Sequence, residues 1–172
     1  MIFKTINPNK ILLSNQGYMK INDIEVAELK NLEIKLIPEM REIVILNSVS
    51  KGKMITSING SITFELNKIY GRFKPTMLEC ARYGQLFYFI LDATVKAPKK
   101  PNHKNREEET IFIGNCWLEG DMPLFALKSE TDFLTEKYQA GFEIESASYE
   151  EIIDDNYAQE HGDWESNGFS YI

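Results

Sequence analysis

Apolar and polar residues alternate along most of this chain, and the breaks in the alternation mark out its elements. Tyr18-Met19-Lys20-Ile21 and Ile24-Glu25-Val26-Ala27 flank Asn22-Asp23, a two-residue turn that suits a tight hairpin. Leu32, Ile34 and Leu36 alternate with Glu33 and Lys35, which predicts a strand with one apolar face; Pro38 ends its pairing or confines it to a sheet edge. Ile62, Phe64 and Leu66 alternate with Thr63 and Glu65 in another half-buried strand. Between these strands lie two apolar runs, Ile43-Val44-Ile45-Leu46 and Met54-Ile55-Thr56-Ser57-Ile58, around a Lys51-Gly52-Lys53 tip. A chain of 172 residues has little room to bury such an arm, so it reads as a surface made to pack against another copy of the protein.

One helix is predicted from Pro75 to Tyr83, with proline in the first turn, a stripe of Met77, Leu78 and Ala81, and Gly84 as its stop. Gln85 to Lys96 is apolar on both faces through Leu91, the pattern of a central strand covered on both sides. Residues 96–109 read as a loop with two prolines, five cations and three consecutive glutamates. Thr110–Leu118, Pro123–Ser129 and Phe142–Ala147 complete a β-rich pattern, and after Asp155 the periodicity is lost. The expected layout is one β domain over 1–155, with an arm at about 39–60, and an acidic tail over 156–172.

Composition fits a globular chain, with 43% apolar and 26% charged residues. The net charge of -7 is uneven: residues 1–137 hold all 19 Lys and Arg, whereas 138–172 hold acids alone. Two cysteines without CxxC spacing, Cys80 and Cys116, read as reduced packed thiols. The start lacks the pattern of a signal peptide and no apolar run is long enough to span a membrane, so synthesis and folding in the cytoplasm are expected.

Catalytic patterns are mostly missing. The two histidines, His103 and His161, fall in the basic loop and the tail, and there is no HExxH, P-loop, GxSxG or dinucleotide-binding glycine pattern. Cys80 as a nucleophile is outweighed by Cys80 as a packed thiol. Glu143 and Glu145, alternating with Phe142 and Ile144, fit a solvated strand face better than an acid-base pair. Asp154-Asp155-Asn156 lacks the glycine and closing glutamate of a calcium loop. The cations of the 96–109 loop run straight into Glu107–Glu109 with no interleaved aromatic, which argues against a nucleic-acid site. No cofactor, metal or enzymatic activity is expected.

Taken together, GYMKINDIEVAELKNLEIKLIPEM, the arm with KGKMITSINGSITFEL, then NKIYGRF and EKYQAGFEIESASYEE resemble the tail tube proteins of contractile phage tails and phage-tail-like bacteriocins of the Clostridium-type group. The resemblance runs from about Gly17 to Ile153 and lies in the order and spacing of these segments. It implies a β-sandwich or half-barrel with one helix, assembling as hexameric rings whose strands form a continuous barrel around a channel. On that resemblance Ile43, Val44, Ile45, Leu46, Met54, Ile55 and Ile58 become an inter-ring stacking contact, with Lys51, Gly52 and Lys53 at its tip. Glu33, Glu65, Glu143 and Glu145 are the candidate lumen-facing acids. The implied partners are the chain itself, a sheath, a tape measure and a baseplate, with DNA only in transit and no stable membrane association, in a virion tail or bacteriocin particle. A type VI-like secretion tube, a baseplate subunit of the same fold and, from another class, a β-barrel small-ligand binder are the alternatives.

Overall fold

The computed structural model describes residues 16–71, 73–97, 108–129 and 133–151. The basic loop at 98–107, His103, His161, the Asp154–Asn156 segment and the acidic tail fall outside the described residues.

Asn22 and Asp23 both take positive φ, 50° and 64°, the left-handed pair that a type I′ turn requires. They close β1 (Gly17–Ile21) onto β2 (Ile24–Glu25), as the sequence predicts. The Asn22 side chain then accepts a hydrogen bond from the Ile90 backbone N–H at 2.9 Å, and the Asn22 N–H donates to the Ile90 carbonyl. The hairpin is thereby tied to β5 (Tyr88–Lys96).

The remaining strands are β3 (Leu29–Ile43), β4 (Gly52–Asn67), β6 (Glu108–Glu119), β7 (Thr135–Phe142) and β8 (Ala147–Glu151). All pair antiparallel in one sheet of order β2-β1-β5-β6-β7-β4-β3, with β8 against the first half of β6. β7 and β8 follow the same edge of β6, parted by a 3₁₀ turn at Ile144–Ser146. That turn replaces the expected continuous strand over 142–147. It is held by the Glu143 N–H on the Asn115 carbonyl and by the Asn115 N–H on the Ser146 hydroxyl, both at 3.1 Å.

One face of the sheet carries the core. Met19, Ile62, Phe64, Leu91, Ile113, Leu118 and Tyr138 are sealed from solvent. Phe64 stacks on Tyr138 with ring centroids 5.1 Å apart, and Phe73 meets Tyr138 edge-on at 5.3 Å. Each such side chain contributes about 1.5–3 kcal/mol through its burial. Helix α1 (Lys74–Arg82) covers the core through Met77, helped by Phe73 and Cys80. Its end is a Schellman motif: the Gly84 N–H reaches the Ala81 carbonyl and the Gln85 N–H reaches the Cys80 carbonyl, with Gly84 at φ 64°.

Four expectations change. Leu78 and Ala81 are exposed, so the helix buries a narrower stripe than its sequence suggested. β5 is internal to the sheet, but Tyr88 and Ile90 are open on one side, with no cover among the described residues. Residues 123–129 form no strand: Leu124, Phe125 and Leu127 are apolar and exposed, yet the segment pairs with no strand among the described residues. Finally, the strand holding Ile62, Phe64 and Leu66 is not separate from the arm, because both belong to β4.

Candidate assembly surface

The arm is the part of the β3–β4 hairpin that outruns the sheet. β3 and β4 stay paired from Leu29↔Leu66 to Ile43↔Gly52, whereas β7 supports β4 only from Asn67 to Gly60. Residues 52–59 with their β3 partners therefore project alone, over about 26 Å at ~3.3 Å per residue. Pro38 lies within this ladder opposite Ile58, and β3 is the last strand of the sheet. Of the two outcomes the sequence allowed, the proline sits on an edge strand, where its missing N–H costs little.

A one-residue irregularity sets the arm's faces. Glu39 faces Ser57, but Met40 faces Ile55, leaving Thr56 as an extra residue on β4. The Thr56 hydroxyl donates to the Glu39 carbonyl at 3.2 Å, and the Ser57 hydroxyl donates to the Glu39 carboxylate at 2.9 Å. Strict alternation would set Ile55 and Ile58 on opposite faces. The bulge returns both to the face that continues the core, beside Leu36, Pro38 and Met40. There Leu36 is 54% exposed, Met40 55%, Ile55 51% and Ile58 40%, so a stripe built like core has no cover among the described residues.

The end of the arm differs from the expected one. Gly52 and Lys53 are already paired in β4, with Ile43 and Glu42, so the turn is residues 44–51. Lys51 closes its base through an ion pair with Glu42 at 2.9 Å. Val44, Leu46 and Val49 stand almost fully in solvent at the tip, while Ile45 folds back toward Gly52.

On the opposite face of the sheet, the rows across β3, β4 and β7 below the arm are polar. Cross-strand rows place Glu33 beside Thr63 and Gln139, then Asn31 beside Glu65 and Lys137. Lys30 and Asn31 donate to the two oxygens of Glu65 at 3.1 and 3.0 Å. These hydrogen bonds hold the Glu65 carboxyl below its ordinary range. Glu33 lies 3.7 Å from Lys35. Glu33 and Glu65 thus each have a lysine beside them. Glu143 and Glu145 are elsewhere, one before the 3₁₀ turn and one within it, and Glu143 accepts from the Asn115 amide at 2.7 Å.

A half-buried ionic cluster fixes the end of the fold away from the arm. Lys74, at the start of α1, pairs with Glu136 on β7 and donates to the Leu124 carbonyl at 2.9 Å; Tyr138 also donates to Glu136. Burial alone would raise the Glu136 carboxyl, but Lys74, Tyr138 and Lys68 outweigh it and hold the group below its usual value. Sequence reading missed this cluster, whose members are distant in the chain and share no motif. Cys116 is sealed in the core and burial pushes its thiol up to about 12, while Cys80 is half-buried; both are free. Among the described residues no three His, Cys, Asp or Glu side chains gather as a metal site. No helix there is long and apolar enough to cross a membrane.

The family model described as phage tail tube protein matches residues 4–145. The chain belongs to that family. Among solved structures, this tail tube family member is similar to the tube-terminating cap of the anti-feeding prophage, with TM-score 0.61 and 8% identity over 87% of this chain and 97% of the other. It is also similar to the sheath/tube terminator of the PVC extracellular contractile injection system in its extended state, with TM-score 0.57 and 9% identity over 87% and 99%. A chain of the PVC sheath-tube complex gives TM-score 0.56 and 9% identity over 83% and 93%. At such identities the likeness is one of fold. No curated protein matches by sequence. Membership makes this chain a structural protein of the tail-tube type, with a fold found in contractile injection particles.

Proposed function

We propose that this chain is the repeating subunit of the inner tube of a contractile injection apparatus, in which hexameric rings stack into a rigid conduit inside a sheath. The observation that carries this reading is the arm: a two-stranded extension with a core-like apolar stripe and no cover among the described residues. Exposed apolar surface of this kind marks an interaction site, and a head-to-tail contact either closes into rings or propagates as a filament. Ile43 to Leu46 and Met54 to Ile58 then supply the contact between rings.

The open β3 edge suits a neighbour within a ring, which would pair with it and remove the edge. The polar face with Glu33 and Glu65 suits the channel. Its paired acids and cations would let DNA or ions pass without a net field of either sign. Sheath, tape measure and baseplate are the expected partners, and the particle would be a phage tail or a bacteriocin. The tube would act mechanically, remaining rigid while the sheath shortens.

A concentration series of the purified chain in negative-stain microscopy tests this. Rings or tubes with a central hole, abolished by deleting residues 44–57, are the expected result. Persistent monomers at high concentration would refute it. The likeness to two terminating proteins favours a second reading, a cap of the same fold. A cap would stop at single rings, whereas a tube subunit keeps growing.

A further inference from the structure

The two ends of the sheet are unlike, and the contrast identifies what the arm meets. Following the register, the arm leaves at the end where β5 finishes at Lys96 and β6 starts at Glu108. At the other end, the β1–β2 hairpin, α1 and the start of β5 enclose an open groove of about 410 Å³. Ile21, Ile24, Val26, Phe73, Phe87 and Tyr88 make its wall mainly apolar. Ile24 is 62% exposed and Tyr88 58%, so the wall is in place and none of the described residues is seated on it. The chain's own arm points away from it.

We infer that this groove receives the arm tip of a second copy, with Val44, Leu46 and Val49 entering between the β1–β2 hairpin and α1. The inference rests on the tube reading and names the receiving half of its stacking contact. Three features favour a second copy as occupant. A head-to-tail contact needs two different patches on one chain, and these lie at opposite ends of the same strands. Both are apolar at their centres. Their rims also differ in charge: at the arm end exposed Arg41, Lys51 and Lys53 outnumber Glu42, whereas Asp23 and Glu25 are exposed on the hairpin beside the groove. Small charges of this kind fix register more than affinity.

Directed disulfide formation tests it in the full chain. In a Cys80→Ser background, Leu46→Cys protein is mixed with Ile24→Cys protein under conditions that give tubes, then oxidised; Thr76→Cys repeats the pairing from the α1 side. A disulfide forms only where the two Cα atoms come within about 7 Å. The expected product is a mixed dimer joining the two variants, with no equivalent product when Leu46→Cys is mixed with Ser148→Cys, which lies at the arm end of the sheet. Tubes that form, depend on the arm, and yet give no mixed dimer with either groove variant would overturn the groove as receiver and leave the tube reading standing. The groove would then belong to another occupant, such as a small apolar ligand. A chain that assembles under no condition overturns both.

Discussion

Phe142 lies across Gly60 at the point where the arm leaves the body of the sheet, so close that a Cβ on Gly60 would sit 2.6 Å from its ring. Gly60 is the last β4 residue with a β7 partner. A side chain there must displace a buried aromatic ring whose own position closes the core. Gly60→Ala should therefore cost about 1–3 kcal/mol, the usual penalty of overpacking. Chemical denaturation of the two chains measures it, and an unchanged midpoint would mean that the ring moves aside freely.

The bulge at Thr56 separates folding from assembly. Inserting one residue between Glu39 and Met40 gives Thr56 a partner, restores strict alternation and turns residues 52–55 over, moving Ile55 off the apolar stripe. The core lies beyond Gly60, so thermal stability should fall little. Association measured by sedimentation should collapse. Retained assembly would show that the stripe need not be continuous.

Ile55→Asp and Leu46→Asp change exposed positions and should alter monomer stability by no more than about 0.5 kcal/mol. Under the proposed contact the same changes bury a carboxylate between copies, and tube formation should fail. Normal tubes from both variants would place the stacking contact elsewhere.

Glu136 makes stability depend on acid. Its carboxyl is held low in the fold, so below its usual value of 4.5 the unfolded chain takes up the proton first. The cluster's contribution is complete above that value and is lost as pH falls through the lower folded value. At neutral pH Glu136→Gln leaves Lys74 short of its counter-charge and should cost about 1–3 kcal/mol. Denaturation midpoints across the acid range should converge for the two chains; parallel curves would remove Glu136 as the source.

Thiol labelling should distinguish the cysteines. Cys116 is fully buried with its thiol raised to about 12, so the native chain should react at Cys80 alone until it unfolds. Labelling of both thiols at equal rates in native protein would show that the core opens readily.

Much of this architecture was legible where local chemistry and tertiary need agree. Asn22-Asp23 forms its turn, Pro75 and Gly84 bound the helix, and Ile62, Phe64 and Leu66 line the core. The misreadings arise where pairing decides. Residues 123–128 have strand composition but no partner strand among the described residues, and the 142–147 line breaks because Asn115 and Ser146 take hydrogen bonds that a ladder would use. Of the assembly surface, the apolar surplus was visible and its geometry was not. Thr56 as the extra residue follows from its partner strand, and the groove joins Ile21 to Phe87 across a distance no local pattern spans.

The sheet's unlike ends have a kinetic consequence. A column of identically oriented copies exposes bare arms at one terminus and bare grooves at the other, so it has direction. Subunits join the two termini at different rates, and a protein shaped to stop growth at one is the wrong shape for the other.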